Sequence, residues 1–187
     1  MSVSSQYGRP EYWDERYLNK KEPFDWYQKW SGIKDIITQY VHHPDKILIV
    51  GCGSSRMSED MMAEGYTSIT GIDNSAIVIK DMQERYEGVE GLSFEEKDVR
   101  TMDFEPGSFN VILDKGTLDS VLCGDRSSVM ARRMIDRVYG VLAPGGVYIS
   151  VTYAPPEQRT YYFSKSSYDW QINTYQVAKP ILSSTCL

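Results

Sequence analysis

The sequence is poor in the residues that build metal sites and disulfide frameworks. It has only three cysteines and two histidines among 187 residues. Cys52, Cys123 and Cys186 are odd in number and widely spaced, so neither a disulfide framework nor a zinc site is predicted. The adjacent His42 and His43 stand just before a proline, a position that favours loop residues over catalysts. We therefore expect no bound metal and an intracellular, cytoplasmic protein.

The sequence also lacks long hydrophobic runs and an excess of positive charge. No apolar run approaches the roughly 20 residues that a membrane-spanning helix needs, and the opening MSVSSQYGRP lacks the apolar core of a signal peptide. The formal net charge of −6 disfavours nucleic acid, which needs a basic surface, and suits a cationic partner better. We expect no membrane or nucleic-acid partner and one globular domain over residues 1–187.

Short apolar segments alternate with helical patterns along the chain. Strands are predicted at residues 46–51, 67–73, 92–98, 109–114 and 147–153. A helix over residues 55–64 ends at Gly65, another follows the N-cap Ser75, and a longer helix carries an apolar stripe at Met130, Met134, Val138 and Leu142. This alternation predicts an α/β fold: a doubly wound, mostly parallel sheet with helices on both faces.

Four residues with useful chemistry fall at the predicted strand ends: Gly51, Asp73, Asp98 and Asp114. In doubly wound sheets the ligand lies beyond the carboxyl ends of the strands, so these residues are predicted to share one edge. The alternative is that strand ends simply favour glycine and aspartate as turn residues.

The turn GCGSSR after the first strand indicates which ligand this edge accepts. Gly51 and Gly53 allow the backbone to approach a ligand closely, and Asp73 is placed to accept hydrogen bonds from ribose hydroxyls. The third glycine of the dinucleotide pattern is replaced by Arg56, so a pyrophosphate site is incomplete. Asp98 is placed to accept from an adenine amino group. The set fits S-adenosyl-L-methionine, which has an adenosine and no phosphate.

Further motifs carry a family resemblance. LIVGCGSS, GIDNS, EKDVRTMDF and LAPGGVYISVT resemble successive motifs of class I S-adenosylmethionine-dependent methyltransferases, which have a Rossmann-like fold. EYWDERY (11–17), EPFDWY (22–27) and ILDKGTLDSVLCG (112–124) resemble the elongation factor 1-alpha lysine methyltransferases. The resemblance implies methyl transfer to a lysine side chain of a protein such as elongation factor 1-alpha.

Other functions stay open beside this one. The same fold serves small-molecule methyltransferases, and an inactive cofactor-binding protein that works through partners is a second alternative. A nicotinamide oxidoreductase is disfavoured by the broken glycine pattern.

The resemblance also implies roles for individual residues. The N-terminal aromatic segment, residues 1–30, is expected to close over the cofactor as a lid, with a helix that starts near Pro10 and has Trp13 and Tyr17 on one face. Aromatic faces attract a cation such as the sulfonium, although these rings are equally compatible with plain packing. The cofactor-site residues implied are Trp13, Tyr17, Trp26, Asn74, Val99 and Lys115, beside the strand-end residues above.

The acceptor side and the C-terminus are less defined. Asp114 and Asp119 are candidates to face a protonated lysine, while Asp119 is also compatible with capping the next helix. No catalytic base is predicted, because the sulfonium is already activated and the protein chiefly aligns the reactants. Residues 168–180 are predicted to supply a sixth strand. ILSSTCL (181–187) is too short and polar for a seventh, so the final strand is expected to be missing and a sheet edge open.

Overall fold

The structure, a computed structural model, describes residues 6–180. Its strands are β1 (Ile47–Val50), β2 (Ile69–Asp73), β3 (Leu92–Glu96), β4 (Phe109–Lys115) and β5 (Leu142–Val151). They form one five-stranded sheet in the order β3-β2-β1-β4-β5, and every pair in it is parallel. The five strands predicted between residues 46 and 153 and the doubly wound class are confirmed.

Helices cover both faces of this sheet. They are α1 (Pro10–Asn19), α2 (Trp30–Ile37), α3 (Met57–Ala63), α4 (Ala76–Arg85), α5 (Thr117–Leu122), α6 (Ser127–Val141) and α7 (Pro156–Phe163). One core layer joins α2, α3 and α4 to strand residues such as Ile49, and the other joins α5 and α6 to residues such as Leu48. Neighbouring residues of β1 thus enter opposite layers, as the two-residue period of a strand requires. Among the described residues, no helix has the length and apolar character to cross a membrane.

Local sequence signals set several helix boundaries. Pro10 occupies the first turn of α1, where its fixed φ and missing N–H are tolerated. The Ser75 hydroxyl accepts a hydrogen bond from the Val78 amide and so caps α4. Gly65 follows α3 with a φ of +98°, a left-handed conformation that glycine adopts without a steric penalty.

Two boundaries differ from the sequence prediction. Leu142 was assigned to the apolar stripe of α6, but it is the first residue of β5. The Pro144-Gly145-Gly146 stretch lies inside that strand rather than before it. Pro144 and Gly145 are both exposed on a strand whose only strand partner among the described residues is β4, so the missing N–H of proline is tolerated there.

The predicted strand at residues 168–180 is wrong, because this segment has no regular secondary structure. It is held by side chains and single hydrogen bonds instead of a backbone ladder. The Trp170 ring stacks on Tyr148 of β5 at 6.2 Å, and the Gln28 amide donates to the Ala178 carbonyl at 2.6 Å. Residues 181–187, where the closing strand was expected to be missing, lie outside the described part of the chain.

Candidate functional site

A cavity opens at the carboxyl ends of the strands, between the glycine turn and the N-terminal aromatic segment. We call it the strand-end cavity. Its walls include all the residues that the sequence predicted for cofactor binding: Trp13, Tyr17, Trp26, Gly51, Gly53, Asp73, Asn74, Asp98, Val99 and Lys115. Residues that are remote along the chain are therefore brought together at the edge where this class of sheet binds ligands.

The glycine turn leaves little room for a side chain. Gly51 and Gly53 have φ values of +60° and +51°, which side-chain-bearing residues rarely adopt. A Cβ on Gly51 would lie 2.0 Å from Thr117 Oγ1, and a Cβ on Gly53 would lie 2.8 Å from the Tyr17 hydroxyl. The Tyr17 ring therefore stands directly over the turn, and the backbone forms that part of the cavity wall.

Asp73, at the end of β2, is nearly buried, with 7% of its surface exposed. Its carboxylate accepts from the amides of Gly53 and Ser75, each at 3.0 Å. Burial raises the pKa of Asp73 to about 6, while these hydrogen bonds oppose the rise. Each carboxylate oxygen accepts one amide and retains a lone pair for a further donor, which is the arrangement that two ribose hydroxyls need. Asn74 follows on the exposed side of the same edge.

The loop after β3 forms another wall of the cavity. Val99 is buried and supplies an apolar surface, while Asp98 is half-buried. The Asp98 carboxylate accepts hydrogen bonds from Nε and Nη2 of Arg100 at 2.9 and 2.5 Å. Burial raises the pKa of Asp98, but the Arg100 contacts outweigh it and hold the pKa below its ordinary value. Asp98 is thus an anionic acceptor, with Arg100 as a partner that the sequence did not indicate.

The rings of the aromatic segment pack against each other at the mouth of the cavity. Trp13 stacks on Tyr17 at 6.1 Å and meets Trp26 edge to face at 6.1 Å. Tyr7, which the sequence prediction missed, also lines the cavity, and its carbonyl accepts from the Trp13 indole at 2.7 Å. The same carbonyl accepts from the hydroxyl of Ser120 in α5. The segment is therefore tied to the body of the sheet at its first described residues.

A buried ion pair is a second contact between the aromatic segment and the sheet. The Lys115 ammonium, at the end of β4, donates to the Asp25 carboxylate at 2.9 Å and to the Trp26 carbonyl at 3.2 Å. The hydroxyl of Ser55 in the glycine turn donates to the same Asp25 oxygen. Burial lowers the pKa of Lys115, and Asp25 opposes that shift. Sequence reasoning named Lys115 but not Asp25, whose partners are remote in the chain.

Asp114 and Asp119, the predicted acceptor-side pair, have different surroundings. Asp114 is 1% exposed and accepts from the amides of Thr117 and Leu118 and from the Tyr148 hydroxyl. Burial raises its pKa to about 6, against these hydrogen bonds. Its carboxylate thus caps α5 from within the core, because strand β4 turns directly into that helix.

Asp119 links three parts of the chain. Its carboxylate accepts from the Tyr27 hydroxyl at 2.7 Å, from the Tyr153 amide at 3.0 Å and from Arg159 of α7 at 2.7 Å. Burial raises the pKa of Asp119, but these contacts and one from Thr152 outweigh it and lower the pKa below its ordinary value. Asp119 therefore holds its negative charge beside Tyr27.

The donors and acceptors of this site suit a nucleoside ligand. Among the described residues, no group of three or more histidine, cysteine, aspartate or glutamate side chains is arranged to hold a metal ion. A family profile described as "Methyltransferase domain" matches residues 42–180. The chain belongs to the S-adenosylmethionine-dependent methyltransferases. The cofactor of this family is S-adenosyl-L-methionine, and the free lone pairs of buried Asp73 beside the glycine turn fit its adenosine.

Relatives narrow the group within the family. The methyltransferase domain is 36% identical over 177 residues to "EEF1A lysine methyltransferase 4" of Mus musculus, an alignment that covers 89% of this chain and 69% of that protein. It is 33% identical over 182 residues to "eEF1A lysine and N-terminal methyltransferase" of Homo sapiens, and this alignment covers 94% of the chain but only 26% of that protein.

Solved structures confirm the fold of the methyltransferase domain. A methyltransferase of Methanosarcina mazei matches with a TM-score of 0.54 and 24% identity, over 75% of this chain and 64% of that one. Phosphoethanolamine N-methyltransferase 1 of Haemonchus contortus matches with a TM-score of 0.57 and 14% identity, over 79% of this chain and 32% of that one. Both structures are less than 25% identical to this chain, so this likeness concerns the fold alone.

Proposed function

We propose that this chain transfers the methyl group of S-adenosylmethionine to a lysine side chain of a protein, and that the protein is elongation factor 1-alpha. The observation that carries the proposal is the ion pair of Asp25 and Lys115 at the strand-end cavity. It joins EPFDWY to DKGTLD, the motifs that resemble the elongation factor 1-alpha lysine methyltransferases. The names of the relatives in mouse and human support the same acceptor. An elongation factor works in the cytoplasm, and we propose that compartment for the reaction.

The residues of the cavity divide the binding of the cofactor among them. We assign the ribose hydroxyls to the Asp73 carboxylate and the close backbone approach to Gly51 and Gly53. We assign the adenine to Asp98 and Val99. Trp13, Tyr17 and Trp26 take the methionine end, with Asn74 and Lys115 beside them. Residues 1–30 act as a lid, within the single domain.

The reaction needs alignment more than acid–base chemistry. The cofactor supplies an activated methyl group on a cationic sulfur. When bound, it would supply this methyl group to a neutral lysine amine and would leave as the neutral thioether. The amine first loses its proton to water, and partial burial of the amine favours this because desolvation lowers its pKa. Holding the nucleophile and the methyl group in line is the main contribution of the protein.

A labelling experiment tests the proposal. The chain is incubated with methyl-labelled S-adenosylmethionine and elongation factor 1-alpha produced in bacteria, and the labelled residue is identified by mass spectrometry. We expect label on a lysine, loss of labelling with Asp73→Ala and near-normal labelling with the control Asp81→Ala on α4. In a parallel incubation with a cell extract, label only in small molecules would assign a small-molecule methyltransferase. Cofactor binding without any transfer would assign an inactive binding protein.

A further inference from the structure

A lysine of the C-terminal segment rests on an exposed ring beside the strand-end cavity. The Lys179 ammonium lies 4.8 Å from the centroid of the Tyr153 ring and donates to its hydroxyl at 3.3 Å. Tyr153 leaves 69% of its surface exposed, so its ring is accessible to a ligand. Within residues 6–180, Lys179 has no carboxylate at ion-pair distance, so the ring and its hydroxyl are the contacts of its charge.

The Tyr153 ring is one half of a fixed pair. It stacks on Tyr27 at 6.2 Å with an interplanar angle of 27°. Asp119 holds both residues, because it accepts from the Tyr27 hydroxyl at 2.7 Å and from the Tyr153 amide at 3.0 Å. The exposed stacked rings offer a cation a π face, and Asp119, whose charge is paired with Arg159, fixes the positions of both tyrosines.

The ring pair adjoins the place where methyl transfer is proposed. Tyr153 stands two positions beyond the end of β5 at Val151, whose register partner is Lys115. Tyr27 follows Trp26, and their ring centroids are 5.9 Å apart, while Trp26 lines the strand-end cavity. A protein that presents a lysine to the cavity therefore passes its neighbouring side chains over these rings.

We propose that the Tyr27–Tyr153 pair binds a basic side chain of the protein substrate, next to the acceptor lysine, and that Lys179 occupies this position in the free chain. The proposal rests on the proposed function for the existence of a protein substrate. The net charge of −6 favours a basic partner. Because Lys179 is tethered and exposed, it competes as an intramolecular ligand that a substrate displaces. The C-terminal segment is thus an autoinhibitory contact.

Peptide binding tests the site without requiring catalysis. The probe is the acetylated, amidated peptide Gly-Lys-Gly-Lys-Gly, titrated into the chain in the presence of S-adenosylhomocysteine and followed by calorimetry. Lys179→Ala is expected to bind it about 2- to 30-fold more tightly than the unchanged chain, the range of one cation–π contact. The matched control Lys165→Ala removes a lysine that lies 5.4 Å from the Tyr168 ring elsewhere, and it should leave peptide affinity unchanged.

Ring substitutions in the Lys179→Ala background identify where the peptide binds. Tyr153→Leu should abolish the gain in peptide affinity that Lys179→Ala gives. Tyr153→Phe, which keeps the π face, should retain most of that gain. A peptide with norleucine in place of both lysines should bind weakly to every variant. Equal affinity for the lysine and norleucine peptides, no gain from Lys179→Ala, or no loss from Tyr153→Leu in a folded protein would each overturn the proposal.

The two proposals fail separately. If the peptide binds as expected but no elongation factor is labelled, the acceptor assignment is wrong and the basic-residue site stands. If the elongation factor is labelled but substitutions at Lys179 and Tyr153 leave peptide affinity unchanged, the proposed site is wrong and the proposed function stands.

Discussion

Asp25 and Lys115 are 90 residues apart in the sequence, and their side chains form an ion pair of 2.9 Å. Only 12% of the Asp25 side chain and 7% of the Lys115 side chain are exposed. The pair joins the aromatic segment to the carboxyl end of β4, where Lys115 and Trp26 line the strand-end cavity. The ion pair therefore links two parts of the cavity lining that are remote along the chain.

Breaking this pair on one side should destabilise the chain strongly. Asp25→Ala leaves a buried ammonium without its counter-ion, and we expect a loss of about 3–5 kcal/mol in the free energy of unfolding. Urea denaturation measures it. The double variant Asp25→Leu/Lys115→Met replaces both charges by apolar groups and should recover most of the loss. If the double variant is as unstable as the single one, the ion pair is not the cause.

Removal of the Asp73 carboxylate should weaken cofactor binding. Asp73→Ala is expected to reduce the affinity for S-adenosylhomocysteine by about 1–3 kcal/mol, since ribose hydroxyls lose their buried acceptor. Calorimetry on the folded fraction measures this. Asp81→Ala, on α4, removes a carboxylate outside the cavity lining and should change affinity little. Equal losses for both variants would contradict the ribose assignment.

Stability should fall with rising pH because of two buried carboxyls. Burial raises the pKa of Asp73 and of Asp114 to about 6. A carboxyl whose pKa is higher in the folded than in the unfolded chain binds its proton more tightly when folded. Its contribution to the free energy of unfolding therefore falls between about pH 4 and pH 6, by up to about 1.4 kcal/mol per pH unit, and is level above.

The substitution Asp73→Asn isolates one of these contributions. The difference in unfolding free energy between the unchanged chain and this variant should change over the same pH range, whereas Asp114 contributes equally to both. Affinity for S-adenosylhomocysteine should rise with pH through about 6 in the unchanged chain, because hydroxyls donate better to the ionised carboxylate. In Asp73→Asn this rise should be absent. Parallel profiles for the two proteins would show that another group titrates.

The tryptophan at the mouth of the cavity should distinguish a charged from a neutral ligand. Trp26→Phe keeps much of the apolar area but weakens the cation–π attraction, which is strongest for tryptophan. We expect a larger loss of affinity for the cationic S-adenosylmethionine than for its neutral-thioether product, by about 0.5–1 kcal/mol. Identical losses would assign the ring to packing alone. Deletion of residues 1–28 is a poorer test, because it also removes Asp25 from Lys115.

A pair of glycine substitutions should separate backbone strain from crowding. Gly51 and Gly88 have φ values of +60° and +78°, so alanine is strained at both, by about 1–2 kcal/mol. A Cβ on Gly88 meets nothing within 4 Å, whereas one on Gly51 lies 2.0 Å from Thr117 Oγ1. Gly51→Ala should therefore reduce the free energy of unfolding by roughly another 1–3 kcal/mol. Its melting temperature should fall further than that of Gly88→Ala. Equal melting temperatures would contradict the crowding.

The parts of the fold that depend on local chemistry could be predicted from the sequence. Ser75 caps α4 through its own hydroxyl, and Gly65 ends α3 through its own backbone freedom. Asp73 follows directly from the end of a predicted strand. The role of Lys115 could not be derived in this way, because its counter-ion Asp25 is 90 residues away and no local pattern indicates that pairing.

Other features depended on packing that the sequence pattern does not contain. Asp114 and Asp119 both look like exposed acids near a strand end, yet the core encloses Asp114, at 1% exposure. Residues 168–180 have the aromatic content of a strand, but strand formation also needs a neighbouring backbone. Trp170 instead packs its ring on Tyr148, and the segment stays without a ladder.

The contact between Tyr7 and Ser120 has a consequence for synthesis on the ribosome. The aromatic segment is made first, but the hydroxyl that binds its Tyr7 carbonyl lies 113 residues later. At about 5–20 residues per second this interval lasts about 6 to 23 s. During it, rings such as Trp13 have no sheet to cover, so a nascent chain exposes them to chaperones and cannot retain the cofactor until the helix that follows β4 has emerged.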